Sequence, residues 1–147
     1  MSLSRRQLLV SAAATSVALT VGGRTVVAAF AAQPFDAGVA ADFPEGVTDT
    51  FARRHTVLIV RQGNTLYAMT AACPHKGTTL RAAGDQIRCP GHGSRFDLEG
   101  KATRGPAEGQ LNRHSVTLRD GRLIVDPSVI FLPGDFDNPA ARVTLPG

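Results

Sequence analysis

Residues 73–97 read CPHKGTTLRAAGDQIRCPGHGSRFD, and they hold both cysteines of the 147-residue chain. Each cysteine has a histidine close behind it: His75 follows Cys73 as C-x-H, and His92 follows Cys89 as C-x-x-H. A disulfide between Cys73 and Cys89 would account for an even cysteine count in an exported protein, but it leaves both histidines unexplained. Buried structural thiols beside unrelated histidines would make the double spacing an accident. His55 and His114 show the ordinary case, each solitary in a strand context and without a ligand role. A metal site remains, and two kinds fit the residue types. Zinc takes Cys2His2 sets, although zinc fingers place the cysteine pair first and the histidine pair second. Here each short loop supplies one of each, which suits a two-iron cluster with thiolates on one iron and imidazoles on the other.

The sequence around these loops reads as all-β. From Phe35 onward no long segment has helical period; short apolar runs alternate with turn signals instead. His55–Arg61 (HTVLIVR) is rich in β-branched residues and predicts a buried strand. Gly63-Asn64 then turns the chain, and Leu66–Ala72 (LYAMTAA) returns as a second strand that delivers it to Cys73. Further on, Ser115–Arg119 and Arg122–Asp126 flank Asp120-Gly121, a strong hairpin signal. Residues 127–147 are broken by proline and read as a run across the surface. No internal repeat or linker interrupts residues 35–147, which are expected to form one domain.

The first 32 residues read as an address. A charged start, an apolar run from Leu8 to Val21 and small residues throughout have the layout of an export signal. Arg5-Arg6, with Ser4 before and Gln7-Leu8-Leu9 after, resembles the twin-arginine signal, a route that implies export of an already folded, cofactor-loaded protein. Ala29-Phe30-Ala31 suits a signal peptidase, whereas Leu8–Ala32 is also long enough for an uncleaved apolar anchor helix at the cost of Arg24. The expected location is the periplasm or the outer face of the cytoplasmic membrane, with membrane contact through this segment if it is retained.

Charge excludes one large class of function. The formal net charge is +4, but three of the 16 basic residues (Arg5, Arg6 and Arg24) lie in the leader and all 12 acids lie beyond it, leaving 13 against 12. With no basic stripe interleaved with aromatics, nucleic-acid binding is not expected. The surplus that remains is local. Lys76, Arg81, Arg88, Arg95, Lys101 and Arg104 face only Asp85, Asp97 and Glu99 between residues 73 and 104. If they crowd a cluster they favour its reduced form and attract an acidic partner.

Residues 73–97 resemble the Rieske 2Fe-2S family, whose pattern is C-x-H, a spacer, then C-x-x-H-G-S. The resemblance implies Cys73 and Cys89 as thiolate ligands and His75 and His92 as imidazole ligands, on loops 73–80 and 89–97. It extends to Gly93-Ser94 and to Gly105-Pro106-Ala107, where Pro106 falls in the loop that covers the cluster in that family. It implies a small antiparallel Rieske-type β-sandwich or barrel and a one-electron carrier without a substrate pocket. Expected partners are a cytochrome or a larger oxidoreductase, either a quinol-oxidising bc-type complex, with quinol itself, or a molybdenum enzyme similar to arsenite oxidase. Members that oxidise quinol carry a disulfide between the loops; Thr78 and Gly91 stand at those positions here. Ser94 keeps a hydroxyl that can bond the cluster, while Phe96 stands where a tyrosine often donates to a ligand sulfur. Fewer donors imply a potential below the top of the family's range of roughly −150 to +300 mV, to be checked by redox titration. The alternative is an exported structural Cys2His2 zinc module for partner binding. A ring-hydroxylating oxygenase is not expected, since 147 residues are short for an added catalytic iron domain and the two spare histidines do not make a second site.

Overall fold

The computed structural model describes residues 32–147 in full and, before them, the backbone of residues 15–21 and 24–30. Thr15–Val21 (β1) and Arg24–Phe30 (β2) are extended and pair antiparallel, Thr15 opposite Phe30. The apolar signal or anchor helix expected over Leu8–Ala32 falls partly outside the described residues, as do Arg5 and Arg6; the two described stretches are not helical. Among the described residues no helix is long and apolar enough to cross a membrane.

The remainder is antiparallel β with one short α-helix and two 3-10 turns, Ala40–Asp42 and Pro139–Ala141. Phe35–Val39 (β3) and Gly46–Thr48 (β4) precede the turn Ala52–His55 (α1), after which Val57–Gln62 (β5) and Thr65–Thr70 (β6) form the first long hairpin. The short strands Arg81–Ala83 (β7), Gln86–Arg88 (β8), Arg95–Phe96 (β9) and Ala102–Arg104 (β10) follow. Arg113–Arg119 (β11), Arg122–Phe131 (β12) and Val143–Thr144 (β13) complete the chain. The larger sheet has the order β3-β12-β11-β6-β5-β4, with β13 also pairing β6; the smaller has the order β10-β9-β8-β7.

The run VLIV in β5 shows why this sequence needs both sheets. All four residues are buried, and successive side chains point to opposite faces of a strand. Leu58 and Val60 enter one apolar core, with Tyr67, Met69, Leu80, Ile87, Phe96 and both cysteines. Val57 and Ile59 enter another, with Leu66, Ala68, Val116, Leu123 and Val125. The hairpin β5–β6 is therefore the wall between two cores, and only the first is shared with the smaller sheet.

Two expectations are corrected at their edges. His55 is not in the strand: it ends α1, its ring stacks on Phe35 at 3.8 Å, and Thr56 bends the chain through a left-handed conformation at φ 58°. Residues 127–147 do more than cross the surface, because β12 runs on to Phe131, β13 pairs with β6, and Ala141 and Leu145 are buried. Proline obscured this in the sequence. The Asp120-Gly121 turn is as expected, with both residues at positive φ (50° and 74°), the pair of angles that a tight two-residue hairpin requires.

Candidate metal centre

The two loops turn out to be one motif built twice. In CPHKGT (73–78), the Cys73 N–H donates to the Thr78 carbonyl at 2.9 Å and the Gly77 N–H donates to the Cys73 carbonyl at 2.7 Å. In CPGHGS (89–94), the Cys89 N–H donates to the Ser94 carbonyl at 2.8 Å and the Gly93 N–H donates to the Cys89 carbonyl at 3.1 Å. Both turns need a positive φ at their fifth residue, and both place glycine there: Gly77 at 71° and Gly93 at 79°. Each is the tip of a hairpin. Ala72 bridges Thr79 below the first, and Arg88 pairs with Arg95 below the second. The repeated pattern C-P-x-x-G-[ST] was legible in the sequence, and it is the signal that a reading by cysteine–histidine spacing alone passes over.

The turns aim backbone donors at sulfur. The Cys73 sulfur accepts from the N–H groups of His75 and Lys76, and the Cys89 sulfur from those of Gly91 and His92, the same two offsets in each turn. Both thiols are free, buried at 2 % and 1 % exposure, and hydrogen-bonded to each other. Burial holds the Cys73 thiol above its ordinary range. Burial also works to raise Cys89, but the Cys73 thiol, the two N–H donors and the Thr78 hydroxyl outweigh it and hold that thiol low.

The histidines stand apart from the sulfurs in exposure. His75 and His92 are exposed, with ring centroids 4.9 Å apart and planes at 88°. The site thus presents two pairs, thiols on the core side and imidazoles at the solvent side.

The remaining predicted residues frame these pairs. Ser94 is fully buried, and its Oγ accepts from the Ala107 N–H at 2.9 Å, which ties the second turn to the 105–107 strap and leaves the hydroxyl proton free to donate. Pro106 is exposed within that strap and follows a cis peptide bond. Phe96 is fully buried in the core beneath the cysteines and brings no donor. Thr78 and Gly91 meet where the two turns touch: a Cβ on Gly91 would lie 3.0 Å from Thr78 Oγ1 and 3.5 Å from Thr78 Cβ. His55 and His114 lie elsewhere, His114 buried on β11 with its Nδ1 unpartnered.

One feature gave no sequence signal. Arg113, only 3 % exposed, pairs with Glu99 at 2.6 Å between the rings of Tyr67 (3.8 Å) and Phe136 (4.3 Å). The Tyr67 hydroxyl in turn donates to the Leu98 carbonyl at 2.7 Å, so this group joins the larger sheet to the segment after β9. Burial and the nearby Glu99 carboxylate push the Tyr67 phenol well above its ordinary range.

A single zinc ion would require its four ligands to converge on one point. Among the described residues no three of His, Cys, Asp or Glu gather in that way, and the zinc-module alternative has no support in this arrangement. Two pairs, with N–H donors ready to offset thiolate charge, are what a two-iron centre with mixed ligands asks for.

The comparisons with known proteins agree. A family model described as the Rieske [2Fe-2S] domain matches residues 33–115. The cytochrome b6-f complex iron-sulfur subunit of Chlorobaculum tepidum is 33 % identical over 91 residues, 60 % of this chain and 50 % of that protein. Subunit 1 of the same name from the cyanelle of Cyanophora paradoxa is 39 % identical over 77 residues, 49 % of this chain and 32 % of that protein. The chain thus matches half or less of the length of these curated relatives. Among solved structures, the plasma membrane Rieske protein PetC3 of the cyanobacterium Synechocystis PCC 6803 superposes with a TM-score of 0.51 at 26 % identity, covering 62 % of this chain and 97 % of that one. From the paired donors, the antiparallel fold and the match over more than half its length, this chain belongs to the Rieske [2Fe-2S] domain family, and its cofactor is a Rieske-type 2Fe-2S cluster.

Proposed function

We propose that Cys73 and Cys89 hold one iron of the cluster and His75 and His92 the other, and that the chain carries single electrons to and from a larger oxidoreductase. The observation that carries this reading is the pairing itself: thiols together and buried, imidazoles together and exposed. When bound, the cluster supplies one-electron chemistry at a potential raised by its neutral imidazoles. The chain's own residues do the rest. The N–H groups of His75, Lys76, Gly91 and His92 favour thiolate at the two sulfurs. Leu80, Ile87, Phe96 and Leu111 exclude water from the cysteine side. The exposed imidazoles leave the solvent side open for a docked partner.

The matched relatives are subunits of cytochrome b6-f complexes, which favours a quinol-oxidising membrane complex over a molybdenum enzyme as the parent assembly. The Arg5-Arg6 leader supports a place at the outer face of the cytoplasmic membrane. The domain assigned to this role is residues 35–147, behind a leader of residues 1–32.

Anaerobic purification tests the reading. Wild-type protein is expected to be red-brown, to contain iron and acid-labile sulfide, and to give a Rieske-type EPR signal on reduction. Cys73→Ser and His92→Ala are each expected to lose that signal with most of the iron. Full iron and sulfide retention in both variants would overturn the ligand assignment. Co-purification with a molybdenum subunit instead of a membrane cytochrome would overturn the choice of parent assembly.

A further inference from the structure

The smaller sheet carries four arginines in one line. Arg81 lies directly opposite Arg88 and Arg88 opposite Arg95, and a bulge in β10 between Ala102 and Arg104 brings Arg104 to Arg95, so the row crosses β7, β8, β9 and β10. Residues directly opposite in an antiparallel sheet share a face. In the neighbouring row Ile87 and Phe96 are buried in the core and Ala102 packs against it, which leaves the arginines on the other face. Arg88, Arg95 and Arg104 are exposed and Arg81 is half-buried. None of the four takes part in an ion pair among the described residues. A cavity of about 330 Å³ opens beside the row, between Arg81, Arg88 and Pro90.

Like charges placed directly opposite one another destabilise a sheet. Four in succession, none of them in an ion pair with a carboxylate, are a cost to folding that a bound anion would reduce. We infer that this arginine row is a docking surface for the acidic face of a partner protein. Strands lie about 4.8 Å apart, so the row is roughly 14 Å long, which suits several carboxylates on a protein face rather than one small anion. Arginine's planar fork matches a carboxylate with two parallel bonds, and all four positions use it in preference to lysine. A bilayer fits less well. Among the described residues the exposed large apolar side chains are Val39, Ile130 and Leu132, and none lies on this sheet to enter an acyl layer. Nucleic acid fits poorly as well, since no aromatic side chains interleave the row.

The row also lies at the right place for electron exchange. Arg88 immediately precedes Cys89, and Arg95 immediately follows Ser94, so the two middle arginines form the rung beneath the second turn. A partner held there is seated next to His92. Weak redox encounters use small interfaces, and a short charged row provides attraction with rapid release. That the partner is a redox protein rests on the electron-carrier reading; that its face is acidic does not.

The test uses full-length, cluster-loaded protein and a fluorescently labelled poly-L-glutamate peptide at low ionic strength. Arg88→Gln with Arg95→Gln is expected to weaken peptide binding by about tenfold or more, while Arg53→Gln with Arg54→Gln, an equal change of charge on α1, changes it by less than about twofold. The row variant is also expected to melt at a higher temperature than wild type, because repulsion between paired strands is relieved. Should the middle pair fail to fold, Arg81→Gln with Arg104→Gln on the outer strands gives the same comparison. Equal losses from the row and the α1 pair would overturn the inference, as would tighter binding to phosphatidylglycerol-containing vesicles than to the peptide. Iron is measured in the same samples. Lost selectivity with iron retained defeats only the docking surface, whereas iron-free wild type defeats only the carrier reading.

Discussion

At the scale of single residues, Gly100 shows how little freedom the segment behind the site has. Its φ is +81°, a conformation that side chains rarely adopt, and an added Cβ would lie 2.8 Å from Met69 Sδ and 3.0 Å from Leu111 Cβ. The methionine end can shift, but Leu111 Cβ moves only with its backbone. Backbone strain and overpacking therefore act together, and Gly100→Ala is expected to cost about 1–3 kcal/mol in urea unfolding. Arg113 is a residue of the opposite kind, a buried charge made tolerable by Glu99 and two aromatic faces. Its sequence context, NRHSV, reads as ordinary strand, and nothing in it announces burial. The counter-charge comes from fourteen positions away and a different segment.

At the scale of elements, the two cysteine–histidine turns are alike in every backbone hydrogen bond described above, and Thr78 and Gly91 add a contact between them to those of the two thiols and the two imidazoles. The 3.5 Å separation between Thr78 Cβ and an added Gly91 Cβ lies at the short end of the range that a disulfide spans. Thr78→Cys with Gly91→Cys is therefore expected to oxidise to a bridge between the turns without displacing them. Mass spectrometry with and without reductant would detect it, and slower iron loss in the oxidised form would show that the turns are braced. Persistent free thiols under oxidising conditions would mean that the turns are set differently. The sequence placed both turns correctly, because proline, glycine and a hydroxyl residue sit where the backbone needs them. It could not show that residues 78 and 91 meet, since that contact depends on how two separate hairpins pack.

For the whole molecule, the governing feature is that β5 and β6 face two cores at once. Leu58 and Ile59 are adjacent, equally buried and of equal size, but they serve different interiors. Truncating either to alanine is expected to cost about 2–5 kcal/mol, the usual range for a cavity of that size. Only Leu58→Ala opens the core that encloses Cys73 and Cys89, so only it is expected to speed iron loss as well. Equal iron retention in the two variants, measured at matched stability in urea, would show that the core beneath the cysteines does not support the centre. The bound cluster itself should raise the melting temperature, because it binds only the folded arrangement.

The sequence by itself determined the local chemistry: the β-rich pattern, the Asp120-Gly121 hairpin and the two turns bearing Cys73, His75, Cys89 and His92. These depend on backbone angles and on residues a few positions apart, and local sequence encodes both. Tertiary structure alone decided which residues meet across the chain: thiols with thiols, Thr78 with Gly91, Arg113 with Glu99, and four arginines seven to nine positions apart drawn into one row. Those contacts are set by strand register and by the sheet against which each hairpin packs. Such choices follow from the burial of apolar faces over the whole domain, and no short stretch contains them.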